Sequence, residues 1–104
     1  MILIYGSEMC PDCRECKFNL DAYSIPYEYI DITADLHALK DFLALRDREQ
    51  VFAPCKENHS IGIPALIIDD VLTLDWEGFI AGKGYTVIHS ESASEACSAD
   101  RKGC

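Results

Sequence analysis

Cys10-Pro11-Asp12-Cys13 sets two thiols three residues apart, and Cys16 adds a third at the same interval. Thiols at this spacing support two kinds of chemistry: exchange between dithiol and disulfide, or ligation of zinc or an iron–sulfur cluster. Exchange needs one ionised, accessible sulfur and a second within reach. At the mouth of a helix, unpaired N–H groups and the helix dipole favour a thiolate, so Cys10 is read as the nucleophile if a helix opens at Pro11. Cys13, one turn on and facing inward, is then the resolving thiol, and Pro11 stiffens the turn between them. Asp12 and Glu8 act against ionisation, because nearby negative charge raises a thiol pKa.

The surrounding elements supply that placement. Ile2 to Tyr5 is a short β-branched-rich run that ends at Gly6-Ser7, as a buried strand does. Pro11 suits a first helical turn, and Cys13, Cys16, Leu20 and Tyr23 then share one face of a helix over about 11–24. Ser24-Ile25-Pro26 ends it, and 27–32 reads as a second strand, completing a βαβ unit. Thr33 is the expected cap of a second helix, whose apolar stripe is Leu36, Leu39 and Leu43, running to about Asp47. Residues 49–60 are expected to be an irregular connection. Two apolar runs, 65–68 and 71–74, flank Asp69-Asp70 as a hairpin does, and Asp75 caps a short last helix. The order β-α-β-α-β-β-α implies an α/β fold with a mixed four-stranded sheet flanked by helices. A C-x-x-C pair alone also fits half a zinc site or part of an iron–sulfur run; its place between strand and helix of a βαβ unit is the context that redox chemistry requires.

Ile63-Pro64 stands directly before the third strand. A proline is tolerated at a strand's first position. It is also the one residue type that takes a cis bond cheaply, which would turn the Ile63 backbone outward to pair with an extended thiol substrate beside Cys10.

Composition narrows the function. The chain has 104 residues, with 9 Lys+Arg against 18 Asp+Glu and a formal charge of −9. One domain is therefore expected over 1–88, followed by a flexible polar tail over 89–104 that lacks large apolar residues. The acidic balance and the absence of a Lys/Arg cluster oppose nucleic-acid or anionic-membrane partners. The apolar run at the start has neither a basic leader nor the length of a membrane span, so the expected address is the cytoplasm and the expected state a monomer. In that reducing compartment, six cysteines read as catalytic or metal-binding before structural.

Cys10-Pro11-Asp12-Cys13 after strand one, Gly62-Ile63-Pro64 before strand three, and the element order together resemble the glutaredoxin branch of the thioredoxin superfamily, over roughly residues 1–85. The resemblance implies a thioredoxin-like fold and a dithiol oxidoreductase, with Cys10 attacking, Cys13 resolving, and Pro11, Ile63 and Pro64 at the substrate. It implies no bound cofactor, glutathione as co-substrate, and glutathione or a thioredoxin-reductase-like flavoenzyme as donor to disulfide-containing protein substrates. The chain departs from the family pattern in three places, one of them the region from Arg48 to Ser60, which is longer than the family's usual connection and makes the resemblance one to a divergent subgroup. Leu74-Asp75-Trp76-Glu77-Gly78 stands where a Gly-Gly pair usually begins the glutathione-holding segment, and Ser7-Glu8-Met9 replaces a basic approach to the motif. An acidic approach repels an anionic tripeptide. Arg14, Lys40 and Lys56 are the candidates for the missing charge.

The alternatives are a metal or iron–sulfur module built on Cys10, Cys13 and Cys16, and a redox-sensing partner protein without turnover. Cys16 also suits a packing residue on the buried helix face, which is the preferred reading. Cys55, Cys97 and Cys104 read as incidental thiols, His37, His59 and His89 as surface residues, and Trp76 and Tyr85 as core aromatics.

Overall fold

A computed structural model of the protein describes residues 2–89. Cys97, Cys104 and the expected tail beyond His89 lie outside the described residues. The elements are β1 (Ile2–Gly6), α1 (Pro11–Ala22), β2 (Glu28–Asp31), α2 (Leu36–Arg48), α3 (Ala53–Glu57), β3 (Ala65–Ile68), β4 (Val71–Thr73) and α4 (Trp76–Gly82), with a 3-10 turn over Gln50–Phe52 leading into α3. The sheet order is β2-β1-β3-β4: β1 runs parallel to β2, and β3 runs antiparallel to both β1 and β4. This is the thioredoxin-like arrangement, a mixed four-stranded sheet with helices on its faces.

The central strands β1 and β3 are covered on both sides, so alternate residues feed two separate cores. Ile2, Ile4 and Leu66 join Cys16 and Leu20 of α1 and Trp76 and Ile80 of α4. Ala65 faces the other way, into a cluster with Cys10, Cys13, Ile32, Phe42 of α2, Phe52 and Ile63. Phe42 anchors that second core, edge-on to Phe52 at 5.6 Å between ring centroids and tilted against Tyr5 at 5.9 Å. The hairpin turns at Asp69 and Asp70, both in the left-handed region that short polar side chains tolerate (φ 50° and 68°).

Three local expectations are corrected. The cap of α2 is Asp35, whose carboxylate accepts from the His37 N–H, because Thr33 is engaged with Asp31. The buried face of α2 carries Ala38 and Phe42, while Leu36 and Leu43 are exposed. The leucine stripe is real but lies roughly a third of a turn from the core face. Finally, 49–60 is largely helical: Pro54 falls in the first turn of α3, where its missing N–H is harmless, and Phe52 pins the segment to the second core.

The chain after α4 returns across α1. Asn19, fully buried on α1, donates to the carbonyls of Glu15 and Ile88 (2.8 Å each) and accepts from the Ile88 N–H (2.7 Å). Tyr23 donates to the Thr86 carbonyl and stacks on Tyr85 with ring centroids 4.2 Å apart. Trp76 is a core residue as expected; Tyr85 is a surface stacking partner.

Candidate active site

β1 ends at Gly6, and Ser7 to Met9 form a tight turn closed by a hydrogen bond from the Cys10 N–H to the Ser7 carbonyl (3.1 Å). Cys10 is the N-cap residue of α1, with extended backbone (φ −99°, ψ 119°) and Pro11 at the first helical position. The backbone N–H groups of Asp12 and Cys13, in the first turn of α1, lie on the side of the Cys10 sulfur. The turn is pinned from the far side of β1. Thr33 donates to the Asp31 carboxylate (2.6 Å), leaving its oxygen to accept from the buried Ser7 hydroxyl (2.9 Å), whose own oxygen accepts from the Met9 N–H (3.1 Å). Hydrogen bonds from the Thr33 side chain and from backbone N–H groups hold Asp31 below the usual carboxylate range. Neither Ser7 nor Asp31 is marked out by the sequence as a site residue; the signals for them are a small polar residue just after β1 and an acid ending β2.

Cys10 and Cys13 are both in the reduced, free form. The Cys13 thiol donates to the Cys10 sulfur, and that contact is the chief reason the Cys10 pKa falls below an ordinary thiol's. The backbone N–H groups of Cys13 and Asp12 reinforce it, against burial and the Asp12 charge. Cys13 moves the opposite way, held protonated by that same bond, by burial and by the Cys10 charge. Cys10 is 3% exposed and Cys13 fully buried, so the accessibility that exchange requires is not met at Cys10 in this conformation, and a substrate reaches it only where neighbouring side chains give way. Cys16 sits in the first core, where burial and the nearby Asp12 push its thiol up to about 12.

The Ile63–Pro64 peptide is cis. Pro64 is buried, and Ile63 packs in the same cluster as Cys10 and Cys13. Gly62 precedes them with φ +98°, and a β-carbon there would lie 2.8 Å from the Phe52 ring, so this approach is open only to glycine. The fold therefore brings Cys10, Cys13 and Ile63 into one buried cluster, with Pro11 and Pro64 as chain neighbours of Cys10 and Ile63. It does not bring Cys16 with them as a metal set: among the described residues, the group of three potential ligand atoms within 4.8 Å of one another is that of Glu15, Glu77 and His89, on α1, α4 and the returning segment. Cys55 is partly buried against the second core.

Of the basic candidates, Arg14 donates to the Glu8 carbonyl (2.6 Å) and Lys56 to the Asp47 carbonyl (3.4 Å), while Lys40 is exposed on α2. Lys17 pairs with Glu8 at 2.7 Å, which offsets the acidic approach to the motif. An open groove of about 800 Å³ lies between α2 and 59–61; it shares Ile32 and Phe42 with the cluster that holds Cys10, but Cys10, Pro11, Cys13, Ile63 and Pro64 are not among its lining residues. Leu36, Leu39 and Leu43 line one wall, and Arg46, Lys56 and His59 line the rim. Arg46 is braced by the carbonyls of Ser60 (2.6 Å) and Ile61 (2.9 Å). No helix among the described residues is long and apolar enough to cross a membrane.

The family model for glutaredoxin matches residues 2–72. An uncharacterized protein of Haemophilus influenzae is 35% identical over 66 residues, which cover 64% of this chain and 77% of that protein. Among solved structures, an epsilon-class glutathione S-transferase from the housefly Musca domestica aligns with a TM-score of 0.52 at 24% identity, over 96% of this chain and 40% of its own. The Drosophila melanogaster glutathione S-transferase isozyme E7 aligns with a TM-score of 0.50 at 20% identity, over 96% and 39%. The chain thus spans about 40% of the length of these transferases, and the likeness to them is one of fold.

Proposed function

The chain belongs to the glutaredoxin family, and we propose that it is a dithiol thiol–disulfide oxidoreductase acting through Cys10 and Cys13. The observation that carries this reading is the polarised thiol pair: one sulfur at a helix mouth with its pKa lowered by the other, beside a cis X–Pro bond. In the first step the Cys10 thiolate attacks one sulfur of a substrate disulfide, forming a mixed disulfide and releasing the other sulfur as thiolate. In the second, Cys13 attacks Cys10, the substrate sulfur departs, and a Cys10–Cys13 disulfide remains. Ile63-Pro64 offers backbone to an extended substrate and Pro11 fixes the turn that presents Cys10.

Protein disulfides and glutathione mixed disulfides are the proposed substrates, with glutathione or a thioredoxin-reductase-like flavoenzyme returning the enzyme to the dithiol. Glu8, ahead of the motif, opposes an anionic thiol at Cys10, and Lys17, paired with it at 2.7 Å, offsets that charge. On this reading residues 1–88 form the catalytic domain of a monomeric cytoplasmic protein, with 89–104 a polar extension. The test is reduction of a peptide disulfide and of a glutathionylated peptide by wild type, Cys10→Ser and Cys13→Ser, with glutathione or thioredoxin reductase as donor. Loss of both activities in Cys10→Ser is expected; equal activity in all three proteins would overturn the proposal.

A further inference from the structure

The Tyr29 hydroxyl is buried, and among the described residues it has no hydrogen-bond partner of good geometry. A buried hydroxyl left unpaired is destabilising, so its place needs a reason. The contact it does have is a weaker one, to the resolving sulfur of Cys13. A β-carbon at Gly6 would stand 2.7 Å from Tyr29 Oη and 3.0 Å from Cys13 Sγ, so hydroxyl and sulfur both border the space that a side-chain-free residue in β1 leaves open. The Lys17 ammonium lies 4.2 Å from the centroid of the Tyr29 ring and is itself held by Glu8 at 2.7 Å. A cation over a phenol ring draws electron density from it and makes the O–H a better donor.

We propose that Tyr29 is the hydrogen-bond donor that stabilises the Cys13 thiolate as it attacks the mixed disulfide on Cys10, with Lys17 as a positioning residue behind it. This rests on the dithiol reading above. In the reduced protein the Cys13 proton points at Cys10. Once Cys10 is bonded to a substrate sulfur it can no longer receive that proton as a thiolate, yet Cys13 must lose it to attack. The Cys13 sulfur then bonds to Cys10, the bond between Cys10 and the substrate sulfur breaks, and the departing sulfur leaves with the electron pair and takes up a proton from solvent in place of the one Cys13 released. The Cys10–Cys13 pair is oxidised and the substrate disulfide is reduced; Tyr29 keeps its own proton throughout. The groups around the hydroxyl suit a donor and not a base: burial first, then negative charge at Cys13 once it is a thiolate, and at Glu8 and Asp31, hold the phenol protonated far above neutral pH, and Lys17 is the cation that faces it.

The experiment mixes the reduced full chain with 5,5′-dithiobis(2-nitrobenzoate), quenches with acid at intervals, and follows the Cys10 adduct by mass spectrometry across a range of pH. For Tyr29→Phe we expect the adduct to form at the wild-type rate and to persist roughly tenfold longer, with the pH midpoint of its decay moved upward, the effect of losing one charge-assisted hydrogen bond. Lys17→Met should slow the same step less. Unchanged decay in Tyr29→Phe overturns the proposal, as does equal slowing of formation and decay, which would indicate general damage. Cys13→Ser separates the two readings: decay that persists without Cys13 would mean that the dithiol mechanism itself is wrong.

Discussion

The Cys13 thiol donates its hydrogen to the Cys10 sulfur, and the two groups consequently titrate in opposite directions, Cys10 lowered and Cys13 raised. Division of labour within the pair is therefore set by one hydrogen bond at the start of α1. The outer sulfur becomes reactive at the expense of the inner, which stays protonated until its partner is consumed.

Alkylation of Cys10 should accelerate with pH to a midpoint below the ~8.5 of a free thiol. Replacing Cys13 with Ala removes the largest lowering influence and should move that midpoint upward. Iodoacetamide kinetics, with the site of modification identified by mass spectrometry, measure both. Because Cys10 is only 3% exposed, a bulky maleimide should react much more slowly than iodoacetamide relative to a cysteine peptide.

Stability should fall on the alkaline side. Cys13, Cys16 and Tyr27 each have folded-state pKa values above their ordinary ones, Cys16 and Tyr27 at about 12. The unfolded chain therefore releases protons first, and the stabilisation these groups provide, complete below ~8.5 for the thiols, is lost as pH rises towards 12. Cys10 has the opposite sign: its contribution is present above the unfolded pKa and is lost as pH falls through its lowered folded value. Urea melts of the reduced protein between pH 7 and 11 should show a declining midpoint, and Cys16→Ala should flatten part of the decline.

Cys16→Ala should leave disulfide reductase activity within about twofold of wild type while costing roughly 1–2 kcal/mol of stability, because Cys16 is a packing residue of the α1/α4 core. A metal-module role would instead remove bound metal and activity together. Reductase assays and urea melts distinguish the two.

Gly62→Ala should be severe. It places a side chain at φ +98° and drives a β-carbon to 2.8 Å from the Phe52 ring, which should destabilise the protein by about 2 to 4 kcal/mol in total. Since Phe52 and Ile63 share a core with Cys10, reductase activity should fall in the folded fraction as well.

Asn19→Ala should release the returning segment from α1, leaving both backbone groups of Ile88 without their partner. The expected loss is about 1–3 kcal/mol, and faster amide exchange at Ile88 checks it.

What the sequence by itself determined is the part governed by neighbours along the chain. A buried strand, a small turn and Pro11 at the first helical position are local signals, and together they place Cys10 at a helix mouth and turn Cys13 inward. Ile63-Pro64 and the two-aspartate hairpin are equally local. Tertiary structure decided the rest. Periodicity identified an apolar stripe on α2, but not that the sheet would take the face of Ala38 and Phe42 and leave Leu36 and Leu43 to the groove, because hydrophobicity alone does not say which neighbour covers a face. The helix over Ala53–Glu57 likewise depends on Phe52 reaching a distant core. Most of all, Tyr29 reaches Gly6 and the space beside Cys13, and Thr33 meets Ser7, across the parallel pairing of β1 and β2; residues so far apart in sequence acquire a relationship only when backbone hydrogen bonds fix the register between their strands.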